Sequence, residues 1–84
     1  MDNKILIGLY VPSIEENFDL FVPTGLVISE LCTLLADGLT QTTNGHYRTS
    51  GRELLCLSSP DKLLAQDMTL ADYGISNGDQ LVLF

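Results

Sequence analysis

The spacing of apolar positions along this chain changes period several times, and each change marks an element. Residues 4–11 (Lys-Ile-Leu-Ile-Gly-Leu-Tyr-Val) place Ile5, Ile7, Leu9 and Val11 at every second position. The stretch is rich in β-branched and aromatic types, which favours a strand. Pro12-Ser13-Ile14-Glu15-Glu16 punctuates it as a turn. Residues 17–22 alternate cleanly: Phe18, Leu20 and Val22 share one face, and Asn17, Asp19 and Phe21 share the other. The two segments predict an opening hairpin.

After Pro23-Thr24-Gly25 the period lengthens. Ile28, Leu31 and Leu35 recur at i, i+3 and i+7, with Cys32 and Leu34 beside them. That is one face of an amphipathic helix, predicted over 27–38, with Asp37-Gly38 as its stop. Residues 40–51 are polar and aperiodic and predict the most mobile loop of the chain. Residues 53–57 (Glu-Leu-Leu-Cys-Leu) resume a strand, Ser58-Ser59-Pro60-Asp61 turns, and Lys62-Leu63-Leu64 forms a short fourth strand. Thr69 caps one helical turn through Tyr73. Asn77-Gly78-Asp79 turns tightly into a last strand at 80–84, with Gly74 and Gly78 suited to positive φ. The order β-β-α-β-β-β predicts a single α+β domain over 1–84, a mixed sheet with one helix across one face.

Composition narrows the function classes. Apolar residues make up 45% of the 84 and charged residues 18%, which excludes a disordered chain. No apolar run approaches the roughly 20 residues that span a bilayer, and Met1-Asp2-Asn3-Lys4 does not begin a signal peptide. The expected location is cytoplasmic, with no membrane insertion. Eleven acidic and four basic residues give a formal charge of −7. The basic ones (Lys4, Arg48, Arg52, Lys62) are scattered, so the chain would repel the nucleic-acid backbone. Cys32 and Cys56 both fall in apolar patterns and read as small core hydrophobes in a reducing compartment.

Nothing in the chain has the spacing of an active site. His46 lies in a polar loop with no motif-spaced acid or nucleophile. Asp61, Asp67, Asp72 and Asp79 do not match a calcium loop. Asp72 is expected to bond amides of its own turn. Tyr73 is expected to pack its ring on the core and tie down a loop through its hydroxyl. No catalytic residue, metal or cofactor is expected, and the chain is not expected to be an enzyme.

The closing run from Thr69 through Asp72-Tyr73-Gly74-Ile75 to Asn77-Gly78-Asp79 and the strand beyond it resembles the end of a ubiquitin-like (β-grasp) domain. A narrower likeness covers most of the chain. Asp19-Leu20-Phe21-Val22-Pro23, followed by a helix face through Leu31, and the run Leu70–Leu81 resemble the YukD/EsaB family. These are small ubiquitin-like proteins of type VII (WXG100, ESX-like) secretion systems of Gram-positive bacteria. The loop at 40–51 and Ser59-Pro60 depart from the family pattern. The chain stops at Phe84 without the Gly-Gly tail of a conjugated modifier. The resemblance therefore implies an accessory or regulatory component acting by protein–protein interaction, with membrane or ATPase components of the machinery as partners. A stand-alone ubiquitin-fold adaptor, and a modifier or sulfur carrier, are the alternatives.

Alternation and the family likeness together suggest where a partner would dock. Ile5, Ile7, Leu9 and Val11 point inward on the first strand, leaving Leu6 and Tyr10 outward; Phe21 points outward on the second. By analogy with the family, Leu54 and Cys56 face the helix, leaving Leu55 and Leu57 outward. Leu81 and Leu83 face inward, leaving Val82 and Phe84 outward. The sheet face away from the helix is thus expected to carry a contiguous apolar patch of Leu6, Tyr10, Phe21, Leu55, Leu57, Val82 and Phe84. A solvated sheet face is ordinarily polar, and such a patch marks a partner site. A protein partner, a homodimer, and cover by the 40–51 loop are the three readings of it.

Overall fold

The computed structural model describes residues 4–58 and 61–84. Its elements are β1 (Lys4–Val11), β2 (Glu16–Pro23), α1 (Ile28–Thr42), β3 (Leu55–Ser58), β4 (Asp61–Leu63), a 3-10 turn at Ala71–Tyr73, and β5 (Gln80–Leu83). This is the predicted order. The expected turn residues Ser59 and Pro60, and the reading of Met1-Asp2-Asn3, lie outside the described residues. The strands form one sheet in the order β2-β1-β5-β3-β4. β1 runs antiparallel to β2 and parallel to β5, which in turn runs antiparallel to β3. The last strand of the chain thus occupies the centre of the sheet, where Leu81 and Leu83 are fully buried.

The core lies between α1 and one face of the sheet. Ile28, Leu31, Cys32, Leu35, Ala36 and Leu39 of the helix form one buried cluster with Ile7, Leu9, Val11, Val22, Leu55, Leu81 and Leu83 of the strands. The helix start has no side-chain cap at Val27. Its first amides are satisfied by tertiary contacts instead: the Ile28 N–H donates to the Met68 carbonyl at 2.7 Å and the Ser29 N–H to the Gln66 carbonyl at 3.1 Å. The free donors of the first turn therefore fix the helix to the loop that precedes the 3-10 turn.

The helix does not stop at Gly38 but runs to Thr42. Leu39 is buried one turn beyond Leu35, and its burial outweighs the propensity cost of one glycine. The chain leaves the helix at Asn44 and Gly45, both at positive φ, where the Gly45 N–H bonds the Thr40 carbonyl.

The segment expected to be a mobile loop is pinned. Thr40 and Gln41 belong to the helix, and Tyr47 is buried at 5% exposure. One carboxylate oxygen of the buried Glu53 accepts three hydrogen bonds: from the Tyr47 hydroxyl at 2.8 Å, the Thr49 hydroxyl at 2.7 Å and the Ser50 N–H at 2.8 Å. A buried charge needs such partners. This loop folds around one, with Tyr47 in the core cluster between helix and sheet.

The C-terminal turns follow expectation. The Asp72 carboxylate accepts the Thr69 N–H at 3.0 Å, and the Thr69 hydroxyl accepts the Asp72 N–H at 3.1 Å. That reciprocal pair closes the short turn in the manner of a capping box. The Tyr73 hydroxyl accepts the Ala65 N–H at 2.8 Å while its ring packs on the core. Gly74 and Gly78 adopt φ of 68° and 90°.

Candidate functional site

Cross-strand pairing decides which side chains share the outer face of the sheet. Leu55 pairs with Leu83, Cys56 with Val82, and Leu57 with Leu81. Directly paired residues point to the same side, so Leu55 and Leu57 face the helix with Leu83 and Leu81. Leu55 is fully buried and Leu57 packs against the core. The expected register of β3 is therefore off by one residue, and Leu55 and Leu57 do not belong to the outer face. Leu54 and Cys56 take their places, and Cys56 is not a core residue as expected. Leu54 and Phe84 are held together by two backbone bonds, Leu54 N–H to Phe84 carbonyl at 2.6 Å and Phe84 N–H to Leu54 carbonyl at 3.0 Å. The remaining expected residues, Leu6, Tyr10, Phe21, Val82 and Phe84, lie on the outer side of their strands.

The outer face is organised in rows. One row crosses the sheet as Asn17, Tyr10, Val82, Cys56 and Leu63. Leu54 and Phe84 lie next to it. Leu63 and Phe84 are 55% and 54% exposed, and Tyr10, Leu54, Cys56 and Val82 are half-buried. This makes an apolar band of six residues. The neighbouring row is polar: Asp19, Gly8 and Gln80 are in register, and the Ser58 hydroxyl donates to the Gln80 carbonyl at 3.0 Å, with Asp61 beyond it. The Gln80 side chain lies over Gly8, where a Cβ would collide with it. The pair Leu6 and Phe21, 38% and 71% exposed, stands beyond that polar row. The expected single patch is thus two apolar areas separated by a polar strip.

Leu63 was not singled out in the sequence. Its signal is the antiparallel β3–β4 pairing, which sets it opposite Cys56. Lys62 pairs with Leu57 and so lies on the other side of β4 from the band, its ammonium 5.1 Å from the centre of the Tyr73 ring.

Cys32, Tyr47 and Glu53 lie near one another, while Cys56 and His46 stand apart from them. Cys32 is buried beneath the helix, and burial, with the negative charge of Glu53 second, pushes its thiol up to about 11. Such a thiol is a poor nucleophile at neutral pH. Tyr47 is held well above the usual phenol range by burial and by its bond to Glu53. Burial pushes the Glu53 carboxyl up, but the bonds from Thr49, Tyr47 and Ser50 outweigh it and set the carboxyl below its ordinary range. Cys56 is free and half-buried on the outer face, and His46 is exposed just past the helix end. The one thiol near a carboxylate is thus held protonated, and that carboxylate already accepts three hydrogen bonds. What the outer face offers is an apolar contact area with a polar margin.

The model of the family described as "WXG100 protein secretion system (Wss), protein YukD" matches residues 9–83. No curated protein matches the chain closely enough to count as a relative. Among solved structures, the EccD5 ubiquitin-like domain from Mycobacterium xenopi superposes with a TM-score of 0.78 at 15% identity, covering 98% of this chain and 93% of that one. The ubiquitin-like domain of the Mycobacterium tuberculosis type VII secretion system protein ECCD1 gives 0.75 at 14% identity, with 96% and 97% covered. A ubiquitin-like domain from Arabidopsis thaliana gives 0.65 at 26% identity, with 98% and 77% covered. The mixed five-stranded sheet and single helix are thus a ubiquitin-like β-grasp.

Proposed function

This chain belongs to the YukD family of the WXG100 secretion system, and on that footing we propose that it is a non-catalytic accessory component of a type VII secretion machine. It acts by docking the apolar band of the outer sheet face onto another protein of that machine. The observation that carries the reading is the continuous row Tyr10–Val82–Cys56–Leu63, flanked by Leu54 and Phe84, on a sheet face that would otherwise be polar. The likeness to the ECCD1 domain, part of a type VII secretion system protein, supports a partner within such a machine, and membrane-embedded or ATPase components are the candidates. Two free cysteines fit a cytoplasmic setting. Among the described residues, no helix is long and apolar enough to cross a membrane. The raised Cys32 thiol, beside a Glu53 carboxylate that three donors already engage, supports a binding role over an enzymatic one.

The test is co-purification from the native cell of the wild-type chain beside a Leu63→Asp/Phe84→Asp variant. Both side chains are more than half exposed, so the variant keeps the core intact. Loss of secretion-system proteins from the variant, with its circular dichroism unchanged, supports the reading. Equal recovery by both chains contradicts it. Self-association abolished by the same substitutions would assign the band to a homodimer instead.

A further inference from the structure

On the other side of the molecule, β2 forms an edge of the sheet. All eight of its residues pair with β1 in unbroken register, so the edge is continuous over about 26 Å. Edge strands are ordinarily protected from pairing by charged side chains, above all lysines, and by bulges or prolines. β2 has no lysine or bulge, its one proline is its last residue, and its charges are Glu16 at its start and Asp19. The opposite edge, β4, is only three residues long.

Beside this edge lies a groove of about 300 Å³, closed by α1 on its other side. The strand contributes Phe18, Leu20 and Val22, and the helix contributes Leu34, Leu35 and Leu39. Leu34 is 51% exposed although it sits one residue from the buried Leu35. Gly38 lies one turn beyond Leu34, and apart from its chain neighbours and the helix's own backbone no atom comes within 4 Å of where its Cβ would be. The glycine that fails to end the helix therefore leaves an open place in the groove wall.

The charge on the two elements that wall the groove has one sign. On the groove side, Glu15 and Glu16 at the start of the strand and Glu30 and Asp37 on the helix are all exposed. Neither β2 nor α1 contains a lysine or arginine. Lys4 stands opposite Pro23 at the far end of β2, and Arg48, Arg52 and Lys62 lie on other elements. An apolar groove with an acidic rim suits an occupant with an apolar centre and basic flanks. The same rim repels a second copy of a chain whose formal charge is −7.

We propose that the β2–α1 groove is a second docking site, taking an extended peptide segment that is apolar at alternate positions and flanked by Lys or Arg. The segment adds to β2 as a sixth strand. Main-chain hydrogen bonds supply affinity, alternate side chains enter the groove, and the basic flanks meet the acidic rim. The site is separate from the outer band and does not depend on its role. Together the two would let the domain hold one partner on the sheet face and a flexible tail of the same or another protein at the edge.

The experiment is selection of a displayed library of random nine-residue peptides against the immobilised 84-residue chain. Recovered peptides are then synthesised and titrated by fluorescence anisotropy against wild type, Gly38→Leu and Leu63→Asp/Phe84→Asp. Gly38→Leu fills the groove from an open helical position, so it removes the site and raises helix propensity. The proposal expects peptides with alternating apolar residues and basic ends, weakened about tenfold or more by Gly38→Leu and unchanged by the outer-face variant. It expects amide shifts in the labelled protein confined to β2 and α1. Selection of peptides insensitive to Gly38→Leu, of acidic or helical sequences, or of nothing above background overturns it. Concentration-dependent protection of the β2 amides from exchange, without any peptide, would also overturn it by assigning the edge to a homodimer.

Discussion

Replacing Glu53 by alanine removes the acceptor on which three donors converge, and the loss should be large for so small a domain. Thr49 and Ser50 are exposed and can return their donors to water, whereas the Tyr47 hydroxyl is buried with Glu53. A hydrogen bond to a charged acceptor contributes about 1.5–3 kcal/mol, and leaving a buried donor without a partner costs about 1–3 kcal/mol. Relief of the buried carboxylate offsets part of this, so the expected net loss is about 2–3 kcal/mol. A domain of this length has roughly 4–12 kcal/mol to lose. Urea unfolding followed by circular dichroism would read the change as a midpoint lowered by about 2–3 M, for a slope near 1 kcal/mol/M. The effect should also depend on pH. The folded carboxyl lies below its ordinary range, so its contribution is present above the unfolded value of about 4.3 and is lost as pH falls through the folded value. The gap between wild type and Glu53→Gln should therefore be widest near neutrality and should close under acid. A Glu53→Ala loss under about 0.5 kcal/mol, or a Glu53→Gln gap that does not change from neutrality to acid, would refute the reasoning.

Three further outcomes follow from single sites. At about pH 8 a small alkylating reagent should modify Cys56 in the native chain and leave Cys32 unmodified, because burial holds the Cys32 thiol near 11; peptide mass mapping before and after unfolding separates the two. Thr69→Ala removes one side of the reciprocal bond with Asp72 and should cost about 1 kcal/mol by chemical denaturation. Glu15 occupies φ of 54° in the β1–β2 turn, so Glu15→Gly should leave stability unchanged or raise it by up to about 1 kcal/mol, whereas the Glu15→Val variant should lower it.

How much of this was legible in the sequence depends on what each signal measures. The hairpin, the helix and the final strand carry strong periods, and their element types were readable to within a few residues. The helix end was not, because a glycine is a stop signal only when nothing beyond it is buried, and Leu39 is. The register of β3 was misread for a different reason. Leu54-Leu55-Cys56-Leu57 is apolar throughout, so alternation gives no preferred face, and only the pairing with Val82 and Leu83 sets it. The Tyr47–Glu53 pair lies in a stretch whose composition reads as loop, and no local pattern reveals a buried carboxylate whose donors lie three to six residues before it. Five of the seven expected outer-face residues lie on that side of the sheet. The polar row through Gly8 and Gln80 that divides them is a product of the parallel β1–β5 pairing, a contact between the two ends of the chain.

Cys56 provides the most direct measurement, since it sits in the centre of the outer band between Val82 and Leu63. Its alkylation rate can be followed with and without detergent-solubilised secretion complex from the native membrane, with Cys32 after unfolding as the internal standard. The account predicts that the complex slows Cys56 modification severalfold, and that the Leu63→Asp/Phe84→Asp variant abolishes the protection. An unchanged Cys56 rate, with the chain shown by co-sedimentation to be bound to the complex, would contradict the assignment of the outer sheet face as the docking surface.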